Sequence, residues 1–270
     1  MNFQAITPPE VLKPFVRFIW TLESDSADNS TFAPIADGCP GIIFQRSEKG
    51  TFHDERSQQL PGIFLYGQTT TPEKMHLTGK VSTVGIILNP HALKSVFGFD
   101  ADELTSSCTD LDFIGNKKAS RLSEQLLNAA STAEQVDILS SYLFAQIQKN
   151  RNLTDDTMLH AVNQIIQSGG GVTLKELQAK LQVTERTFER RFKQSIGISP
   201  KLFGRICRFQ VSLKQLRKND YDKLSDIAYE NGYADQSHFI RTFKEFAGFS
   251  PYTFKKQSNE LVQNFPLLTK

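Results

Sequence analysis

Residues 188–203 read FERRFKQSIGISPKLF, and residues 239–254 read FIRTFKEFAGFSPYTF. At an offset of 51, eight of the sixteen positions are identical: Phe188, Arg190, Phe192, Lys193, Gly197, Ser199, Pro200 and Phe203 in the first copy. A repeat of this length marks two copies of one supersecondary unit. Phe188 and Phe192 stand four apart, as do Phe239 and Phe243, so each pair falls on one helix face. Ahead of the first copy, Thr173 and Glu176 have capping-box spacing and open a helix through Leu177 and Leu181. Gln182-Val183 turns the chain, and Thr184 is suited to cap a second helix over 185–194. In the second copy Leu224, Ile227 and Ala228 form the short helix, Gly232-Tyr233 the turn, and Asp235 the cap of the next helix. Helix, short turn, helix describes a helix-turn-helix. Between the copies, Ser199-Pro200 is an N-cap followed by proline, opening a helix to about Lys218, a spacer of roughly 25 Å.

Two such units about 25 Å apart suit two recognition helices one DNA turn (~34 Å) from each other. An α-helix fits the major groove, where Arg suits guanine, Gln suits adenine and Glu accepts from cytosine. Arg186, Glu189, Arg190, Gln236 and Ser237 are therefore candidate base readers, with Arg241 expected at a phosphate and His238 at a phosphate or packed. Charge agrees. The 270-residue chain has a net of +2, yet residues 171–257 hold 17 Lys/Arg against 9 Asp/Glu, a net of +8. Thr184, Lys193, Lys201, Arg205, Arg208, Lys214, Arg217 and Lys218 are expected along the DNA backbone. A helical domain with a solvated basic face gives the same charge, and an architectural DNA binder gives the same attraction without sequence preference.

The remainder reads as an α+β arrangement of two domains. Runs rich in Phe, Ile, Val, Trp and Tyr at 15–22, 41–45, 62–66 and 81–88 predict strands, separated by turn material at 37–38, 61–62 and 89–90. Residues 23–30 are polar and expected to be mobile. Helical spacing follows in Leu122, Leu126 and Leu127, then in Val136, Leu139, Leu143 and Ile147, a stripe that either covers the sheet or joins a second copy. The expected division is a β-rich, barrel-like sensory domain over 1–118, connecting helices over 119–152, an all-α DNA-binding domain over 153–258 and a tail over 259–270.

Catalytic signals are weak. Cys39 follows Asp37-Gly38, but no histidine neighbours it in sequence to serve as base, so a turn with a buried thiol is expected. His53, His76 and His91 lack metal-ligand spacing, and no metal or cofactor is expected. There is no phosphate-binding glycine loop; Gly169–Gly171 follows a helix and reads as a linker. Three scattered cysteines, the absence of a leader pattern and the absence of an ~18-residue apolar run suggest a cytoplasmic chain without a membrane span.

The segment IAYENGYADQSHFIRTFKEFAGFSP, with its partner copy, resembles the AraC/XylS family of bacterial transcription regulators over residues 155–256. The resemblance implies seven helices with two helix-turn-helix units on one long helix. It places base readers at Arg186, Glu189 and Arg190 in the first unit and at Gln236, Ser237 and Ile240 in the second, with Arg241 at the backbone. Gln178 departs from a small residue and Gln182 from a turn glycine, so the first unit is expected to be less regular. PPEVLKPFVRFIW, PIADGCPGIIF, LYGQTT and VGIILNPHALKSVFG resemble a β-rich domain found ahead of AraC-type modules. That resemblance implies small-molecule sensing, self-association or both, with Trp20, Phe44 and Tyr66 as candidate lining of a barrel mouth. The expected partners are double-stranded promoter DNA, RNA polymerase, a small-molecule effector and a second copy. The alternatives are a regulator set by its own abundance, or a β-barrel enzyme fused to a DNA-binding module.

Overall fold

The computed structural model describes residues 2–24, 30–32, 34–46, 50–72, 74–114 and 122–256. The expected mobile loop falls mostly, and the boundary at 118–119 and the tail over 259–270 entirely, outside the described residues. The β-rich half contains β1 (Asn2–Ile6), β2 (Val16–Ser24), β3 (Ser30–Phe32), β4 (Gly41–Gln45), β5 (Gly50–His53), β6 (Ile63–Tyr66), β7 (Met75–Gly79), β8 (Val81–Leu88) and β9 (Cys108–Asp110). All pairings are antiparallel. One sheet has the order β1-β2-β8-β4-β6-β9 and a smaller one the order β3-β7-β5.

The central strand β4, Gly-Ile-Ile-Phe-Gln, is buried at all five positions rather than at alternate ones. Both faces of the large sheet are covered, so its centre reads as a continuous apolar run. One face carries Ile19, Ile42, Phe44, Leu65 and Ile86 and packs on α1 (Leu122–Asn128) and α2 (Thr132–Asn150). Val136, Leu139, Leu143 and Ile147 of α2 supply the facing stripe. The stripe is thus packed against the sheet. The other face carries Phe18, Trp20, Ile43, Phe64 and Ile87 and shares a core with the helical half. Gly85 is required beneath Trp20: a Cβ there would lie 2.0 Å from the indole ring.

The helical half contains α3 (Asp156–Gln167), α4 (Leu174–Leu181), α5 (Glu185–Ile196), α6 (Pro200–Lys218), α7 (Leu224–Glu230), α8 (Gln236–Ala247) and α9 (Pro251–Lys256), seven helices as the resemblance implies. Buried glutamines stitch the molecule where sequence gave no signal. Gln45 donates to Leu60 O and Pro61 O and accepts from Phe52 N, tying the two sheets together. Gln210 of α6 donates to Ala36 O at 2.6 Å, joining the two halves.

Candidate nucleic-acid interface

The local signals for the two units are realised as capping bonds. Thr173 accepts from Glu176 N, and the Glu176 carboxylate accepts from Thr173 N at 2.9 Å, which holds that carboxyl below its ordinary pKa. Thr184 Oγ1 accepts from Thr187 N, Ser199 Oγ from Leu202 N and Asp235 Oδ1 from His238 N. The linking helix α6 runs to Lys218, as its opening Ser-Pro predicts, and its 19 residues span about 28 Å. Phe188, Phe192, Phe239 and Phe243 are fully buried. The two recognition helices, α5 and α8, end on glycines in the left-handed region, Gly197 and Gly248, at the repeat offset.

With the Phe face inward, the opposite face of each recognition helix is left to solvent. Arg186, Glu189 and Arg190 are exposed on the first two turns of α5, and Gln236, Ser237 and Arg241 on α8, with Ile240 half-buried beside them. Arg190 donates to Gln194 Oε1 at 3.2 Å, four residues on, which aligns its side chain along the helix. Thr184 is exposed at the start of α5, its hydroxyl donating to Thr187 Oγ1. His238 Nδ1 accepts from Ala234 N at 3.3 Å, and the ring meets Tyr233 edge-on. Lys214 is half-buried on α6, while Lys201 and Lys218 are exposed.

Several basic residues expected on the DNA backbone have partners within the chain. Arg205 pairs with Glu245 at 2.6 Å and lies over the Phe246 ring. Arg208 donates to two backbone carbonyls. Arg217 is half-buried, and burial draws its pKa down to about 10. Lys193 stands 3.8 Å from Asp102 of the β-rich half. The charge count therefore does not equal the number of cations left to solvent, because counting cannot distinguish a cation facing solvent from one paired inside. Arg191, which carried no sequence signal, forms a bidentate pair with Asp155, itself the N-cap of α3.

The first recognition helix also touches the β-rich half at its C-terminal end. Gln194 donates to Asp100 Oδ2 at 3.0 Å, and Thr105 Oγ1 donates to Gly197 O at 2.7 Å. At the second unit, Ala36 N donates to Phe246 O at 3.0 Å and Pro72 lies against Gly248. Gly38 rests on Phe203 and Ile206 of α6. Next to it, Cys39 N donates to Asp37 Oδ1, and burial raises Asp37 to a pKa of about 6 against the opposing pull of that bond and of Arg17. Burial likewise pushes the Cys39 and Cys207 thiols up, which suits packed rather than nucleophilic cysteines.

The three aromatics expected at one mouth do not meet. Phe44 pairs with Val84 and faces α1 and α2, whereas Trp20 and Tyr66 lie on the opposite face, toward the helical half. Alternation along a strand enforces this: residue 43, not 44, shares a face with Trp20. Trp20 is 4% exposed and stacks on Phe3. Between the halves, a cleft lined by His91, Lys94, Ser95, Asp155 and Met158 has room for about one water. Burial holds His91 down at a pKa of about 4. Among the described residues no cluster of three His, Cys, Asp or Glu is arranged to hold a metal ion.

Two helix-turn-helix units on one linking helix, each with a capped and outward-facing second helix, define a double-headed DNA-binding module. A helix-turn-helix domain model matches residues 177–257, and a domain of unknown function (DUF6597) matches residues 4–110. The chain carries an AraC-type helix-turn-helix domain behind a DUF6597 domain. An uncharacterized HTH-type transcriptional regulator of Haemophilus influenzae is 28% identical over 148 residues, covering 50% of this chain and 49% of that protein. The HTH-type transcriptional activator RhaS of Escherichia fergusonii is 27% identical over 139 residues, covering 49% and 50%. The chain thus spans about half the length of these curated relatives. Among solved structures, ToxT from Vibrio cholerae O395 bound to (E)-4-(8-methylnaphthalen-1-yl)but-3-enoic acid aligns over 94% of this chain and 98% of that one, at 16% identity and a TM-score of 0.45.

Proposed function

We propose that the chain is a sequence-specific transcription regulator, an activator, that reads two successive major grooves of double-stranded promoter DNA. The observation that carries this reading is the pair of outward-facing recognition helices held by one 19-residue helix. Arg186, Glu189 and Arg190 read one stretch of bases and Gln236, Ser237 and Ile240 the other. Thr184, Lys193, Lys214, His238 and Arg241 engage the sugar-phosphate backbone. The readers differ between the copies, so the site is asymmetric. The chain is assigned no catalytic role. RNA polymerase is its partner at the promoter, and pairing with a second copy multiplies the site. No described helix is long and apolar enough to cross a membrane, in keeping with work at cytoplasmic DNA.

Control by a small molecule at the β-rich half completes the proposal. Support comes from the grip of that half on α5, through Asp102 on Lys193, Asp100 on Gln194 and Thr105 on Gly197. A ligand that binds one arrangement of this contact better than another shifts the population competent for DNA. The test is selection of bound fragments from random-sequence duplexes at near-physiological salt, followed by sequencing. One asymmetric motif with two stretches about a DNA turn apart is expected. Binding without enrichment would favour a sequence-indifferent binder, and a single enriched stretch would remove one reader. In-vitro transcription from a selected promoter then separates activator from repressor.

A further inference from the structure

We infer that Arg208 is a positioning residue for DNA recognition, setting the separation of the two helix-turn-helix units and hence the spacing between the two stretches of bases. The inference rests on the double-reader proposal and adds the device that fixes its geometry. Arg208 lies near the middle of α6. Its Nη1 donates to Gly232 O at 3.1 Å, in the turn of the second unit. Its Nη2 donates to Gly170 O at 3.3 Å, in the loop that leads into the first unit. One planar fork therefore ties the turn of the second unit to the loop ahead of the first, with its Cζ 5.9 Å from the centre of the Tyr233 ring.

The surroundings are built for this grip. Gly170 has a φ of +77° and crosses α6 so closely that a Cβ would lie 2.0 Å from Gly204 O and 3.1 Å from Arg208 N. The glycine run is thus a backbone-on-backbone crossing rather than a loose linker. Neighbouring turns of the same α6 face hold the second unit alone: Arg205 pairs with Glu245 of α8, and Ser212 Oγ lies 3.3 Å from Tyr233 OH. Arg208 reaches the loop ahead of the first unit as well, through a side-chain hydrogen bond. With two guanidinium nitrogens directed at carbonyls and its face toward an aromatic ring, it serves the protein's own geometry rather than a phosphate.

The same random-duplex selection, run in parallel on full-length wild type, Arg208→Ala, Arg208→Lys and Lys214→Ala, tests this. Wild type should enrich both stretches at one spacing. Arg208→Ala and Arg208→Lys should enrich the same two stretches at several spacings, with roughly tenfold weaker binding to the wild-type spacing and unchanged binding to either stretch alone. Lys214→Ala should weaken every fragment evenly and keep the single spacing, as a phosphate contact does. A single spacing retained by both Arg208 variants would overturn the inference. So would an even loss on all fragments with a shallower salt dependence in Arg208→Ala, the signature of a phosphate contact. Should Arg208→Ala not fold, Arg208→Lys decides by the same readout. Failure of the double reader is distinguishable, because wild type itself would then enrich one stretch or none.

Discussion

The two copies of the repeat share their packing and differ at several outward-facing positions, while Arg190 and Lys193 recur as Arg241 and Lys244. Leu177 and Phe188 in the first unit and Ile227 and Phe239 in the second are equally buried, and both recognition helices end on a left-handed glycine. The outward residues diverge: Arg186 faces Ser237 across the repeat, and Glu189 faces Ile240. Their moorings diverge too. The first recognition helix is held by the polar side chains of Asp100, Asp102 and Thr105, the second by a backbone bond from Ala36 and the ring of Pro72. The repeat keeps the residues that fold the unit, while several outward residues and the contacts to the β-rich half differ between the copies.

The largest expected effects test whether the shared packing is equally deep. Phe243 meets Phe209, Phe239, Phe249 and Phe254, whereas Phe192 meets Phe188 and Phe203. Truncating either to Ala should cost about 3–5 kcal/mol in denaturant unfolding, with Phe243→Ala at the upper end. An equal or larger loss from Phe192→Ala would mean that the denser ring cluster adds nothing. Next come the readers. Arg190→Ala should relax preference within one stretch of the selected motif and Gln236→Ala within the other, each by about 1–3 kcal/mol where the contact is bidentate. If both variants lose affinity evenly at every position, the divergence between copies is not a divergence in reading.

The helical half was far more legible in sequence than the β-rich half, for a physical reason. Caps, turn residues and Phe pairs act within a few positions of one another, so Thr173, Thr184, Ser199 and Asp235 announce their helices directly. Strand existence was legible from apolar runs, but which face each residue takes depends on register, set by partners 38 to 72 residues away. Apolar character alone therefore groups Phe44 with Trp20, although the sheet separates them. The roles of Arg191, Arg205 and Arg208 were hidden for the same reason, since Asp155, Glu245 and Gly170 lie 36, 40 and 38 residues off. Composition revealed a basic module, and only the fold divided its cations into those left to solvent and those that hold the module together.

A smaller effect concerns the turns. Both units bend through a left-handed residue after the first helix, Gln182 at φ +53° in one and Gly232 at φ +68° in the other. The strain anticipated for the first unit is therefore present, and Gln178 is half-buried where its counterpart Ala228 is fully buried. Relieving the turn with Gln182→Gly should raise thermal stability by up to about 1 kcal/mol, less the entropy that glycine adds to the unfolded chain. The reciprocal Gly232→Gln should lower it. A loss from Gln182→Gly would show that the Gln182 side chain contributes more than its backbone costs.

The smallest effect addresses the moorings, and here the two copies predict opposite behaviour. Asp102 and Lys193 are partly exposed at 3.8 Å, a pair worth about 0.2–1 kcal/mol, so Asp102→Asn should leave the fold intact. Yet Lys193 is a backbone-contact candidate, and a carboxylate beside it both occupies the cation and repels an approaching phosphate. Removing that charge should therefore raise affinity for the selected duplex by about two- to fivefold, an effect that fades with added salt. The mooring of the second helix offers no such lever, since Ala36 and Pro72 carry no charge to screen or remove. Asp156→Asn, which deletes an exposed acid on α3, supplies the control for net charge. If Asp156→Asn raises affinity as much as Asp102→Asn, the gain is long-range attraction. If Asp102→Asn alone does so, the charge of Asp102 restrains the first reader, and that contact is one a ligand on the β-rich half would act upon.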